Sequence, residues 1–275
     1  MSDTVIVVQD ECILVAVGKA GRSPKVQKVE RIPLNGFGDP LELWKEALTE
    51  YTKMHDLGSV KLVLPSAYAS GRVTQIPYAT GKELVQMAEK VMEEAGSNVL
   101  ADYGVISANR KQGITLCCGS AEEGDISKIM AFCQEINLDV KEISVYVESY
   151  LRVIAHQKAL SQKTAIYLIF EENSVTSLLY RNGVYLYSTK SRIFSERGTL
   201  DFGTEIVRHI SGILQFYTTT KSEEPITDVY YAACDPDDFE VSMEGIHAMQ
   251  LEAQPLKIDL AFHAAERAED WLACI

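Results

Sequence analysis

The stretch TAIYLIFEENSVTSLLYRNGVYLYSTK, residues 164–190, decides how the rest of the chain is read. Its first run, Thr164–Phe170, is rich in β-branched and aromatic residues. The polar trio Glu171-Glu172-Asn173 then turns the chain back into Val175–Arg181. Asn182-Gly183 follows, a pair that tolerates positive φ at both positions and so favours a tight hairpin turn into Val184–Lys190. Three short strands joined by such turns predict an antiparallel meander. The apolar core of the first run, Ala165–Phe170, has the length of a buried strand. It falls far short of the roughly 18 apolar residues of a membrane span.

The N-terminus opens the same way. Thr4–Gln9 and Cys12–Gly18 flank the turn Gln9-Asp10-Glu11, and Val26–Ile32 extends the meander. Asp39-Pro40 reads as an N-cap followed by proline at the first helical position. Leu41, Trp44, Leu48, Tyr51 and Met54 then form one helical stripe that ends at Gly58. A short buried strand is expected at Lys61–Pro65. Strand Gly71–Ile76, helix Lys82–Ala95 and strands Tyr103–Ala108 and Gly113–Cys118 make a small α+β unit. In its helix, Leu84, Val85, Ala88, Val91, Met92 and Ala95 are expected on the inward face. A helix at Asp125–Glu135, a strand at Val140–Val145 and a helix at Tyr146–Leu160 complete the first half.

In the second half a long helix from about Leu200 to Tyr217 turns Ile206, Ile210, Ile213, Leu214 and Tyr217 inward. A strand at Thr227–Ala233, a short helix near Phe239–Gly245, a strand at Ala248–Ala253 and a helix at Phe262–Leu272 follow. Two halves that each run from a meander into α and β elements predict a duplicated bilobal α/β fold. The lobes are placed at residues 1–160 and 161–275, with the small α+β subdomain inserted at about 71–118.

Composition narrows the function. The chain has 275 residues, 47% hydrophobic and 24% charged, with a formal net charge of −13. That is enough apolar material for a large core and excludes a disordered chain or a disulfide mini-scaffold. The acidic excess argues against nucleic acid and against direct insertion into an anionic membrane surface. No secretory leader is evident at Met1–Thr4, and six cysteines without C-x-x-C spacing fit a reducing cytoplasm. The vicinal pair Cys117-Cys118 is expected on opposite faces of a strand.

Searching for chemistry returns little. There is no P-loop, no G-x-G-x-x-G, no H-E-x-x-H and no G-x-S-x-G elbow, so no catalytic residue and no metal ligand is assigned. Asp235, Asp237 and Asp238 follow a strand; capping of a helix after Pro236 is the better account of them than a cation site. Glu171-Glu172 reads as a solvated turn.

The segments Lys61–Pro65 and Arg72–Pro77, each ending in proline, resemble a family pattern. So do helix Lys82–Ala95, the Asp102-Tyr103 strand, and Leu178–Gly183, Phe194–Gly203 and Ile206–Tyr217. The order of these elements resembles the PilM and GspL-type branch of the actin-like ATPase superfamily, related to FtsA, over nearly the whole chain. The resemblance implies an actin-like, ribonuclease H-like fold. It also implies a cytoplasmic scaffold that reaches the inner membrane through the cytoplasmic tail of a single-pass pilus or secretion protein; a homodimer is compatible with it. The tail would lie in a groove beside the inserted subdomain, where Arg72, Tyr78 and Tyr103 are the candidate contacts.

Nucleotide-binding relatives carry Asp-x-Gly at the first turn of each meander. Here Val7 and Gln9 fall near the first pair, Ile169 and Glu171 near the second, and Ala232-Ala233-Cys234 replaces an adenosine-contacting Gly-Gly. A glutamate facing phosphates without Mg²⁺ would repel them by about 1–4 kcal/mol at 4 Å. ATP and Mg²⁺ are therefore disfavoured, and a pseudo-ATPase is expected. The alternatives are an active actin-like ATPase or sugar-kinase relative, and a cell-division actin homologue. The latter would need an amphipathic membrane anchor, which Phe262–Ile275 fits poorly for want of a cationic face.

Overall fold

Two five-stranded sheets of the same strand order organise the chain. The structure, a computed structural model, describes residues 3–256 except 10–11, 20–24, 37, 156–159, 161, 172 and 221–223. The described residues before 156 form one compact unit and those after 157 a second.

In the first unit β1 (Asp3–Val8), β2 (Cys12–Lys19) and β3 (Lys25–Pro33) form the meander. β4 (Ser59–Leu64) and β8 (Asp139–Val145) add on the other side of β1, both parallel to it, giving the order β3-β2-β1-β4-β8. In the second unit β9 (Ala165–Phe170), β10 (Ser174–Arg181) and β11 (Val184–Arg192) form the meander. With β12 (Asp228–Ala232) and β13 (Glu252–Pro255) they give the order β11-β10-β9-β12-β13. The sheets repeat each other in order and in direction. Asn182 and Gly183 take φ of 51° and 72°, as the tight turn between β10 and β11 requires.

Helices make the crossovers. α1 (Pro40–Met54) starts where Asp39 accepts the Leu41 N–H at 2.9 Å, and buries Trp44 and Leu48, leaving Met54 exposed. α5 (Leu200–Thr219) is its counterpart and buries Ile206, Ile210, Ile213 and Tyr217; Leu214 is half-buried. α3 (Glu123–Glu135) precedes β8 as α6 (Pro236–Ala248) precedes β13. α5 and α6 meet through glycine. A methyl group at Gly203 would lie 2.3 Å from the Val241 carbonyl oxygen, and one at Gly245 would lie 2.5 Å from Val207.

Between β4 and α3, where the second unit has only a short turn, the first unit inserts β5 (Ser70–Ile76), α2 (Lys82–Glu93), β6 (Val99–Asn109) and β7 (Gly113–Glu122). These strands form a separate sheet, β5-β7-β6. Its two faces differ. Cys118 packs with Ala88, Ile114 and Leu116 beneath α2, whereas Cys117 joins the core of the main sheet.

Several local expectations are corrected. Val85 and Ala95 face outward, so the inward stripe of α2 is narrower than the sequence implied. α6 begins at Pro236, because proline sits well in a first turn whose N–H groups lack helical partners. It runs to Ala248 and ends at Gln250 in a left-handed turn (φ 62°), which delays the last strand to Glu252–Pro255. α4 (Tyr146–Ala155) is described as far as Ala155; the expected helix at Phe262–Leu272 lies outside the described residues.

Candidate functional site

β6 and β8 are both edge strands, since β6 pairs only with β7 and β8 only with β4 among the described residues. A groove of about 560 Å³ lies between them. Leu100–Gly104 of β6 and Gly119–Ala121 of β7 line one side, Lys141–Val145 of β8 the other, and Glu148 and Arg152 of α4 complete it. Glycine sets how closely α4 approaches. A methyl group at Gly104 would sit 2.5 Å from Glu148 Oε1, and one at Gly71 would sit 2.4 Å from Val147.

The polar end of the groove is built from one turn of α4. Arg152 Nε and Nη2 donate to Glu148 Oε1 at 3.0 and 2.5 Å, and Ser144 Oγ donates to Glu148 Oε2 at 2.8 Å. The same carboxylate adds to burial in pushing the Cys117 thiol pKa far up, so this cysteine stays a neutral thiol. The groove thus offers apolar side chains, a fixed ion pair and two strand edges.

Of the three candidate contacts, Tyr103 borders the groove, yet its side chain belongs to the cluster beneath α2. Arg72, Cys118 and Tyr103 lie in one row across the sheet and share its α2 face, where Arg72 pairs with Glu94. Tyr78, beyond the end of β5, stacks with the Arg110 guanidinium 5.9 Å from its ring centre and is not part of the groove lining. Glu148 and Arg152 went unnoticed in the sequence. Their i, i+4 spacing was visible, but such pairs are usually solvated, and only the fold shows this one half-buried.

The positions assigned to nucleotide lie at the carboxyl ends of the central parallel strands. Val7 is fully buried in β1 between Leu14 and Val63, and Ile169 in β9 between Thr176 and Ala232. Gln9 turns toward Cys12, accepting its Sγ–H at 2.9 Å. Glu171 is not a solvated turn residue. Its carboxylate accepts from Ser174 Oγ (3.2 Å), Thr176 Oγ1 (3.0 Å) and Lys190 Nζ (2.5 Å). Ala233 has φ 55°, a left-handed conformation that costs a non-glycine residue about 1–2 kcal/mol.

Arg197 and Asp238, which sequence reasoning did not single out as a pair, dominate this end of the second unit. Asp238 is 1% exposed. Its Oδ2 accepts from Arg197 Nε (2.7 Å) and Nη2, and its Oδ1 accepts the Gly198 N–H at 2.8 Å. The Arg197 guanidinium also donates to the Glu171 carbonyl oxygen (3.2 Å) and lies about 5 Å from the ring centres of Phe170 and Phe202. Asp235 is the N-cap of α6, and its N–H donates to Asp238 Oδ2 at 3.4 Å, the return bond of a capping box. Burial, reinforced by the Asp238 charge, pushes the Cys234 thiol up to about 12. Among the described residues no three His, Cys, Asp or Glu side chains are grouped to hold a metal ion, and no helix is long and apolar enough to cross a membrane.

Compared by sequence, the chain matches no family profile and no curated protein. Compared by structure, it is similar to a chain of a PilM–PilN type IV pilus biogenesis complex. That match has a TM-score of 0.65 and 12% identity and covers 99% of each chain. A Bacteroides thetaiotaomicron protein with an actin-like ATPase fold and unknown function matches with a TM-score of 0.60 at 9% identity, over 100% of this chain and 96% of that one. The cytoplasmic domain of EpsL, an inner-membrane component of the Vibrio cholerae type II secretion system, matches with a TM-score of 0.51 at 12% identity. It covers 99% of this chain and 93% of its own. At these identities the likeness shows the fold, and the fold is actin-like, in the form also seen in these pilus and secretion proteins.

Proposed function

We propose that the chain is a cytoplasmic, non-enzymatic scaffold of a type IV pilus-like or type II secretion-like assembly. In this reading the groove between β6 and β8 receives the cytoplasmic tail of a single-pass inner-membrane protein. The observation that carries the reading is the pair of strand edges, without a strand partner among the described residues, that border one groove. An extended peptide gains main-chain hydrogen bonds from such an edge, and its alternate side chains find apolar contacts at Leu100 and Ile143. The whole-length likeness to a chain from a PilM–PilN complex supports this class of partner.

Mg²⁺-nucleotide does not fit the residues at the strand ends. A cation would need a carboxylate where Val7 and Ile169 are buried aliphatic side chains. Phosphates would meet Glu171, whose neighbouring donors already serve its own carboxylate. The scaffold role therefore proceeds without ATP in this proposal.

Synthetic peptides tiling the cytoplasmic segments of the single-pass inner-membrane proteins of the same cell test it. One peptide should bind with micromolar affinity, about −8 kcal/mol. Asp102→Trp, which fills the groove from an exposed position on the Gly104 face of β6, should weaken that binding at least tenfold. Arg72→Ala should leave it unchanged. Binding that survives Asp102→Trp would move the partner to another surface.

A further inference from the structure

In open α/β sheets the crevice outside the carboxyl ends of the parallel strands is where ligands usually sit, because the chain leaves neighbouring strands in opposite directions there. β9 and β12 form such a crevice. From β9 the chain turns to one side, into β10 and β11, and it returns on the other as β12. Arg197 spans that opening. Its guanidinium is hydrogen-bonded to the Glu171 carbonyl just beyond β9 and to Asp238 in the helix that follows β12. The rings of Phe170 and Phe202 flank it. The first unit has an equivalent. Tyr146, immediately after β8, reaches past β4 to donate its hydroxyl to the Val8 carbonyl at the end of β1.

We infer that each lobe carries a resident clamp, Arg197 in the second and Tyr146 in the first, that ties together the strand ends a ligand would otherwise organise. In the second lobe the clamp joins three segments: the chain at Glu171 just beyond β9, the loop at 193–199 and the start of α6. The loop is independently pinned, since Phe194 and Ser195 donate their N–H groups to Glu205 at 3.1 and 2.9 Å. Two guanidinium N–H groups converging on one oxygen of a buried carboxylate are directional as well as attractive, so removing them leaves Asp238 Oδ2 buried without its main donors. The inference shares with the proposed function only the expectation about nucleotide and does not rest on the peptide groove.

The test uses the full chain with Arg197→Ala, Arg197→Lys and Tyr146→Phe. Hydrogen exchange should accelerate jointly at 171–174 and 233–238 in Arg197→Ala, and near Gln9 in Tyr146→Phe. The melting temperature of Arg197→Ala should fall by at least about 5 °C. Methylguanidinium at about 10 mM should restore part of that loss in Arg197→Ala and none in the parent. If Arg197→Ala does not fold, Arg197→Lys, which keeps the charge and loses the fork, should show the same joint acceleration in weaker form. Acceleration confined to the loop at 197–199 would overturn the clamp. So would stabilisation of the parent, but not of the Arg197 variants, by inorganic phosphate or ATP, for Arg197 would then be reading an anion.

Discussion

Adding one methyl group at two places on α5 should change stability in opposite directions. Gly212 is exposed, and an added Cβ there meets nothing within 4 Å. Gly212→Ala removes the backbone freedom that a mid-helix glycine must surrender on folding and should stabilise by about 0.5–1 kcal/mol. Gly203→Ala gains the same propensity term but places its Cβ 2.3 Å from the Val241 carbonyl oxygen and 2.8 Å from its carbon. Those atoms are main chain, so no rotamer change relieves the contact; α6 must withdraw by about 1 Å. A gap of that size forfeits about a quarter to a half of the dispersion attraction across the seam. Overpacking of this kind costs about 1–3 kcal/mol, which exceeds the propensity gain. The seam cannot simply slide either, because Val207 occupies the corresponding notch at Gly245 one turn along. Urea denaturation of both variants measures the two signs, with thermal melting moving by about 2–4 °C per kcal/mol at this chain length. Equal stabilisation by both substitutions would refute the close approach of α5 and α6.

Ile210→Ala, at a fully buried position on the same helix, should cost about 2–5 kcal/mol in the same assay; a variant as stable as the parent would place the wrong face inward. His209 is half-enclosed beside Ser177 Oγ, 2.6 Å from its Nε2, and burial holds its pKa below the ordinary value against an opposing pull from Glu205. Unfolding lets it bind a proton near pH 6.5, so its contribution is complete above that pH and is lost as pH falls through the lower folded value. His209→Gln should flatten the stability profile there, and an unchanged acid slope would refute the assignment.

What could be read from the sequence is what neighbouring residues decide. The meander at 164–190, the Asn182-Gly183 turn, the Asp39-Pro40 cap and the inward face of α5 all follow from propensities and periodicities that act within a few residues. Alternation even separates Cys117 from Cys118 onto two different cores. The duplication was visible only as a repeated order of elements, since the parallel additions of β4, β8, β12 and β13 depend on strand pairings made over long separations.

The clamp and the groove were illegible for a related reason. Arg197 lies in Glu196-Arg197-Gly198-Thr199, which fits any surface turn, and Asp238 is 41 residues away. Glu171, immediately after β9, looked solvated because the Lys190 that pairs with it arrives from the third strand of the meander. Arg72 and Tyr103 were chosen as residue types; which face they occupy follows from alternation across β5, β7 and β6, which puts both on the α2 face, opposite the one that Cys117 presents to the main sheet. A β-strand assigns its side chains to faces by parity, so a one-position choice decides whether an arginine meets a partner or a neighbouring helix. Chemistry that depends on which strands become edges, as β6 and β8 do, is fixed only when the sheets have closed.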